Sequence, residues 1–131
     1  MCGYNKEKGA WTMKQEIKEI LKRYTSDVCA LYGDRLHAVV LYGSYARGDY
    51  RENSDIDIMI LVEDMDDEEL HRKRTALSDL DYDYNDANDI LIMPIVVNIN
   101  HFNRWVRAYP FYHNVAREGI ELYEAETRAV G

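Results

Sequence analysis

Cysteine and proline are the scarcest features of this 131-residue chain, with two of each. Cys2 and Cys29 are too few for a disulfide framework or a thiolate metal cluster, and they suit a reducing compartment. Pro94 and Pro110 mark no Pro-rich linker, and no repeat or low-complexity segment divides the chain. Basic residues are also short: 16 Lys+Arg stand against 24 Asp+Glu, a net charge of −8. Gripping nucleic acid through its phosphates needs a basic face, so no direct nucleic-acid binding is expected. An anionic membrane surface is disfavoured for the same reason. The longest apolar runs fall far short of the ~20 residues of a membrane span. Residues 1–8 carry no apolar signal-peptide core. The expectation is a cytoplasmic protein with no membrane partner.

With 47% hydrophobic and 31% charged residues, the balance is that of a folded globular chain. The length suits one domain over residues 1–131, burying roughly two-thirds of its unfolded surface. Thr12 and Gln15 have the spacing of a helix capping box. Met13, Ile17, Ile20, Leu21, Tyr24, Val28 and Leu31 follow as a helical stripe, with Gly33 as a stop. Residues 36–42 read as a buried strand, and residues 44–53 as a loop or short helix. A second strand is expected over 55–62. The almost wholly acidic residues 63–69 then stand where a helix N-terminus favours negative charge, and Leu70, Leu77 and Leu80 continue that helix. Residues 89–97 read as a third strand, with Pro94 marking an edge or bulge. Short helices are expected over 100–108 and 111–118, and Gly119 breaks the chain before residues 120–123. The order is α-β-(loop)-β-α-β-α-α, an α/β domain with a sheet covered by helices.

The chain has 13 Asp, so about one Asp-x-Asp is expected by chance. It has four: Asp55/Asp57, Asp64/Asp66, Asp79/Asp81 and Asp81/Asp83. The last three fall in acidic helical or loop stretches and read as solvated surface. Asp55/Asp57 opens a β-branched run, where a period of two puts both carboxylates on one face. Two such acids raise each other's pKa unless a cation sits between them, and carboxylate oxygens suit Mg²⁺. Just upstream, Gly43-Ser44 ends the first strand. Glycine there allows close backbone approach, and the serine hydroxyl with nearby amides can bind a phosphate oxygen. Ten residues separate Ser44 from Asp55, and Arg47 and Arg51 lie among them.

The stretch GSYARGDYRENSDIDIMILV resembles the Gly-Ser-x10-Asp-x-Asp signature of minimal nucleotidyltransferases in the DNA polymerase beta superfamily. The strong match covers residues 38–62, and the element order extends it to about residue 97. The resemblance implies a small polymerase-beta-like fold, α/β (α+β) with a mixed sheet. The catalytic core would span about residues 12–97, with C-terminal helices at about 100–123. It implies that Gly43 and Ser44 hold the triphosphate of an NTP, and that Asp55 and Asp57 hold two Mg²⁺. A third carboxylate on a later strand would complete the site, with Asp89 as candidate and Asp86 as runner-up. One ion would activate an acceptor hydroxyl and the other would clamp the leaving pyrophosphate. Arg47 would neutralise phosphate oxygens in bidentate geometry.

The resemblance extends to antitoxins of HEPN–nucleotidyltransferase pairs. It implies transfer of AMP from ATP to a tyrosine of a HEPN toxin partner. A small-molecule acceptor of the aminoglycoside kind is a second possibility, and contact neutralisation without catalysis is a third. Tyr45 could stack on a base or cover the core. The four histidines show no metal-ligand spacing. Trp105, Tyr109, Phe111 and Tyr112 read as core packing or as a partner patch.

Overall fold

A computed structural model describes residues 13–125. The stripe from Ile20 to Val28 becomes α1 (Gln15–Tyr32), whose buried side is Ile20, Leu21, Tyr24, Thr25, Val28 and Tyr32. Its N-cap is Lys14, which makes no side-chain capping bond; Gln15 instead donates to Glu19 one turn on, 2.9 Å away. The expected capping box rests on Thr12, which lies outside the described residues. Gly33 stops it, as expected, at φ 55°, and a 3₁₀ turn over Gly33–Arg35 leads into β1 (Leu36–Tyr42). Cys29, on α1, packs partly buried against the core.

The segment after β1 forms the one-turn helix α2 (Ser44–Arg47), and β2 (Ile56–Val62) follows. Asp66 caps α3 (Asp67–Asn88), accepting from the Glu69 amide at 2.8 Å. Asp67, Glu68 and Glu69 fill its first turn, where the helix dipole favours acids. The acidic run is more than solvated surface. Asp64 accepts from Asn98 Nδ2 at 2.6 Å, and Glu63 meets His37 at 3.0 Å. Next come β3 (Ile92–Asn98), α4 (Ile99–Trp105), α5 (Pro110–Glu118) and β4 (Ile120–Glu124). Residues 120–124 thus form a fourth strand that the expected element order lacks. Its five residues are too short for a pattern of their own, and pairing with β1 supplies what periodicity cannot.

The strands run in the order β3-β2-β1-β4. β1 is antiparallel to both β2 and β4, and β2 is parallel to β3, so the sheet is mixed as the family resemblance implied. β3 is an edge strand, which accommodates Pro94. The period of two divides the core. Ile56, Ile58, Ile60 and Val62 pack with Tyr24 and Leu77 of α1 and α3 on one face. Met59 and Leu61 pack with Phe102 and Val115 of α4 and α5 on the other. No described helix is long and apolar enough to cross a membrane.

Candidate active site

β1 and β2 deliver the two halves of the motif to the same end of the sheet. Tyr42, the last residue of β1, is in register with Asp57. The chain must then turn sharply, and Gly43 does so at φ 77°, a left-handed conformation that side chains resist. A Cβ at this position would overlap Asp57 Oδ2. Gly43 is therefore required twice, by its dihedral and by its contact with the carboxylate. Its carbonyl accepts from the amides of Ala46 and Arg47, and the Ser44 carbonyl accepts from Gly48 and Asp49. This network closes the turn. Ser54 fastens the far end of the loop: its hydroxyl accepts from Arg51 N at 2.7 Å, and its own amide donates to Arg51 O.

Asp57 lies in a pocket of 380 Å³ with Gly43, Ser44, Arg47 and four α5 residues, Phe111, Asn114, Val115 and Glu118. Burial, and then the charge of Asp55, raise its pKa, while Arg47 opposes them. Asp55 is exposed and immediately precedes β2 instead of opening it. Arg47 sits between two acids, 3.3 Å from Asp49 and 3.6 Å from Glu118. Tyr45 is resolved in favour of the core: it is buried and stacked on Tyr50, with ring centroids 4.2 Å apart.

The candidate third carboxylate sits elsewhere in the fold than the sequence pattern suggests. Asp89 is not at the head of a strand but caps α3 in the left-handed region, at φ 52° and ψ 48°. Asp tolerates that conformation better than most side chains. The run that reads as strand from residue 89 becomes β3 only at Ile92, whose backbone is clasped by Asn85 through bonds of 2.8 and 3.3 Å. Asp86 lies within α3. Among the described residues no three acidic, histidine or cysteine side chains form a group able to hold a metal ion. The β3 residue in register with Asp57 is Met93. The donors brought together are thus Asp55 and Asp57, a pair whose mutual repulsion a cation would relieve. They fit a hard cation such as Mg²⁺ whose other positions are filled by water and phosphate oxygens.

Sequence reasoning missed the contribution of α5. Phe111, Asn114 and Glu118 are spaced three and four residues apart, so they share the face that the helix turns to the pocket. No residue-type motif marks them. The only sequence signal was the aromatic cluster around Pro110, and that cluster splits. Tyr112 is buried, Phe111 is half-buried against Tyr42, and Trp105 and Tyr109 are exposed.

The polymerase beta nucleotidyltransferase family model matches residues 15–128. A candidate protein adenylyltransferase of Methanocaldococcus jannaschii is 42% identical over 107 residues, covering 82% of this chain and 99% of its own. A second from the same organism is 36% identical, over 81% of this chain and 97% of its own. A crystal structure of a candidate nucleotidyltransferase from Sulfolobus solfataricus superposes with a TM-score of 0.59 at 20% identity, over 92% of this chain and 94% of that one. A chain of a toxin–antitoxin structure with AMP-PNP gives a TM-score of 0.51 at 22% identity, over 80% and 74%. The glycine turn pressed against Asp57 lies within the matched region, and the match runs through every strand of the sheet. This chain is a nucleotidyltransferase of the polymerase beta family.

Proposed function

We propose that this nucleotidyltransferase moves AMP from ATP to a hydroxyl of a protein partner, with Mg²⁺ and release of pyrophosphate. The observation that carries the reading is the single pocket holding Gly43, Ser44, Arg47 and Asp57. It groups the residues expected to bind phosphate with a carboxylate whose pKa is raised by burial and by Asp55. Ser44 and its turn hold the triphosphate, and Arg47 exchanges its acidic neighbours for phosphate oxygens that match its planar fork. Asp55 and Asp57 fix the metal. When bound, Mg²⁺ lowers the pKa of the acceptor hydroxyl and offsets charge on the phosphates. The acceptor hydroxyl gives its proton to solvent, its oxygen bonds to the α-phosphorus, and the bond from that phosphorus to the α–β bridging oxygen breaks, releasing pyrophosphate.

A tyrosine of a HEPN-type toxin is the acceptor that best fits the minimal nucleotidyltransferase resemblance. The names of the M. jannaschii relatives support a protein acceptor, and a fold relative was solved as a toxin–antitoxin pair with AMP-PNP. One observation favours a competing reading, neutralisation of the partner by contact alone: among the described residues no third acid groups with Asp55 and Asp57. Incubating the purified chain with its gene-neighbour protein, Mg²⁺ and ATP labelled at the α-phosphate separates the two. Label on a partner tyrosine is expected. An inhibited but unlabelled partner sinks the catalytic reading.

A further inference from the structure

The pocket has a wall that neither the phosphate turn nor the carboxylates explain. α5 presents Phe111, Asn114 and Glu118 to it, along one helical face. The 3.6 Å ion pair between Glu118 and Arg47 closes the pocket across its phosphate side. Asn114 and Phe111 then lie about 6 and 10 Å further along the helix axis, at 1.5 Å per residue. The volume, 380 Å³, falls within the ~300–1,000 Å³ range of small-ligand sites and is not all lined by phosphate-binding groups.

The two residues beyond Glu118 have complementary chemistry. Phe111 is half-buried, its ring held edge-on to Tyr42 with centroids 5.5 Å apart at 74°. A ring locked this way can stack on a base with little further loss of freedom. Asn114 is exposed beside it, and its Oδ1 accepts from Arg117 at 3.3 Å. That contact orients the amide and leaves the carbonyl a second lone pair. A carboxamide offers one donor and one acceptor side by side. Adenine presents the matching pair, an N7 acceptor and an N6 amino donor, whereas guanine presents two acceptors, N7 and O6.

We infer that the Phe111–Asn114 face of α5 is the nucleobase subsite: Phe111 stacks on the base, and Asn114 selects adenine over guanine. The inference rests on the NTP reading of the pocket and names the specificity of that same site. Tyr45, the other aromatic side chain of the motif region considered for this role, is buried against Tyr50.

The test is calorimetric titration of the full chain, with Mg²⁺, against ATP, GTP and inorganic tripolyphosphate. Wild type is expected to bind ATP more tightly than GTP. Phe111→Ala should weaken ATP at least about fivefold while tripolyphosphate binds as before. Asn114→Ala, at an exposed position that does not threaten folding, should bring the ATP-to-GTP preference towards unity. If both variants retain wild-type affinity and preference, the inference is overturned while the nucleotide reading stands. If wild type binds neither ATP nor tripolyphosphate, the nucleotide reading falls and the inference falls with it. Equal weakening of tripolyphosphate in Asn114→Ala also overturns it, because α5 would then act on the phosphates.

Discussion

At Asp57 three effects compete. Burial and the neighbouring Asp55 favour the protonated carboxyl, and Arg47 favours the ionised one. The net shift is upward, so the folded chain holds this proton more readily than the unfolded chain does. Its contribution to stability is then greatest below the unfolded value and is lost as pH rises through the folded value. At neutral pH the ionised side chain is therefore a small liability to folding. Asp55→Asn with Asp57→Asn should therefore unfold at the same or a slightly higher temperature at pH 7, with the gain shrinking towards pH 4. On the proposed mechanism transfer should fall at least about a thousandfold, since a bound metal would lose both carboxylates. Thermal unfolding at the two pH values and the labelled-nucleotide assay check the two halves. A double variant with undiminished turnover removes the metal assignment.

α1 and α3 are joined by a pair of contacts between tyrosines and acids. Tyr24 donates to Asp81 at 2.6 Å, and Tyr84 donates to Asp27 at 2.5 Å. The two rings meet edge-to-face, with centroids 5.3 Å apart. Burial pushes Asp81 upward and the Tyr24 hydroxyl pulls it back. Removing the donor with Tyr24→Phe leaves a half-buried carboxylate without its hydrogen bond, at a cost of about 1–3 kcal/mol at pH 7. The folded Asp81 pKa rises further in that variant, so its penalty should diminish as pH falls through that value and the carboxyl is protonated. Denaturant titrations at pH 7 and pH 4 measure the difference. An equal loss at both pH values means that Tyr24 contributes packing alone. Asp81 belongs to two of the four Asp-x-Asp pairs, and here it works as structural ballast.

Across the whole molecule, the site depends on how α5 is seated. Gly119 joins α5 to β4, and an added Cβ would come within 2.5 Å of both the Val115 carbonyl and Val40 Cγ1. Gly119→Ala should cost about 1–3 kcal/mol through overpacking. It should also weaken ATP binding by displacing Glu118, although residue 119 does not line that pocket. Thermal unfolding together with ATP titration tests the coupling. Three of the four strands, the long helices and the Gly43–Asp57 half of the site were legible in the sequence. Those features rest on local periodicity and on a motif contained within one strand-loop-strand unit. β4, the true start of β3 and the α5 wall were not legible, because each is decided by a distant partner. β4 needs β1, Ile92 needs the Asn85 amide, and the α5 face needs the pocket it borders. Asp89 misled for a related reason: an acid before an apolar run reads as a strand head, and only the left-handed helix end shows otherwise.

The contact between Gly43 and Asp57 also bears on how such a chain can evolve. A side chain at 43 and a carboxylate at 57 compete for the same space. Their effects on folding must therefore be epistatic. Gly43→Ala should be costly alone, yet part of that cost should vanish when Asp57 is already alanine, the remainder being strain at φ 77°. A double-mutant cycle reads that difference directly. A lineage that replaces Asp57 by a smaller residue thus gains space at 43, so each of the two positions limits what the other can hold.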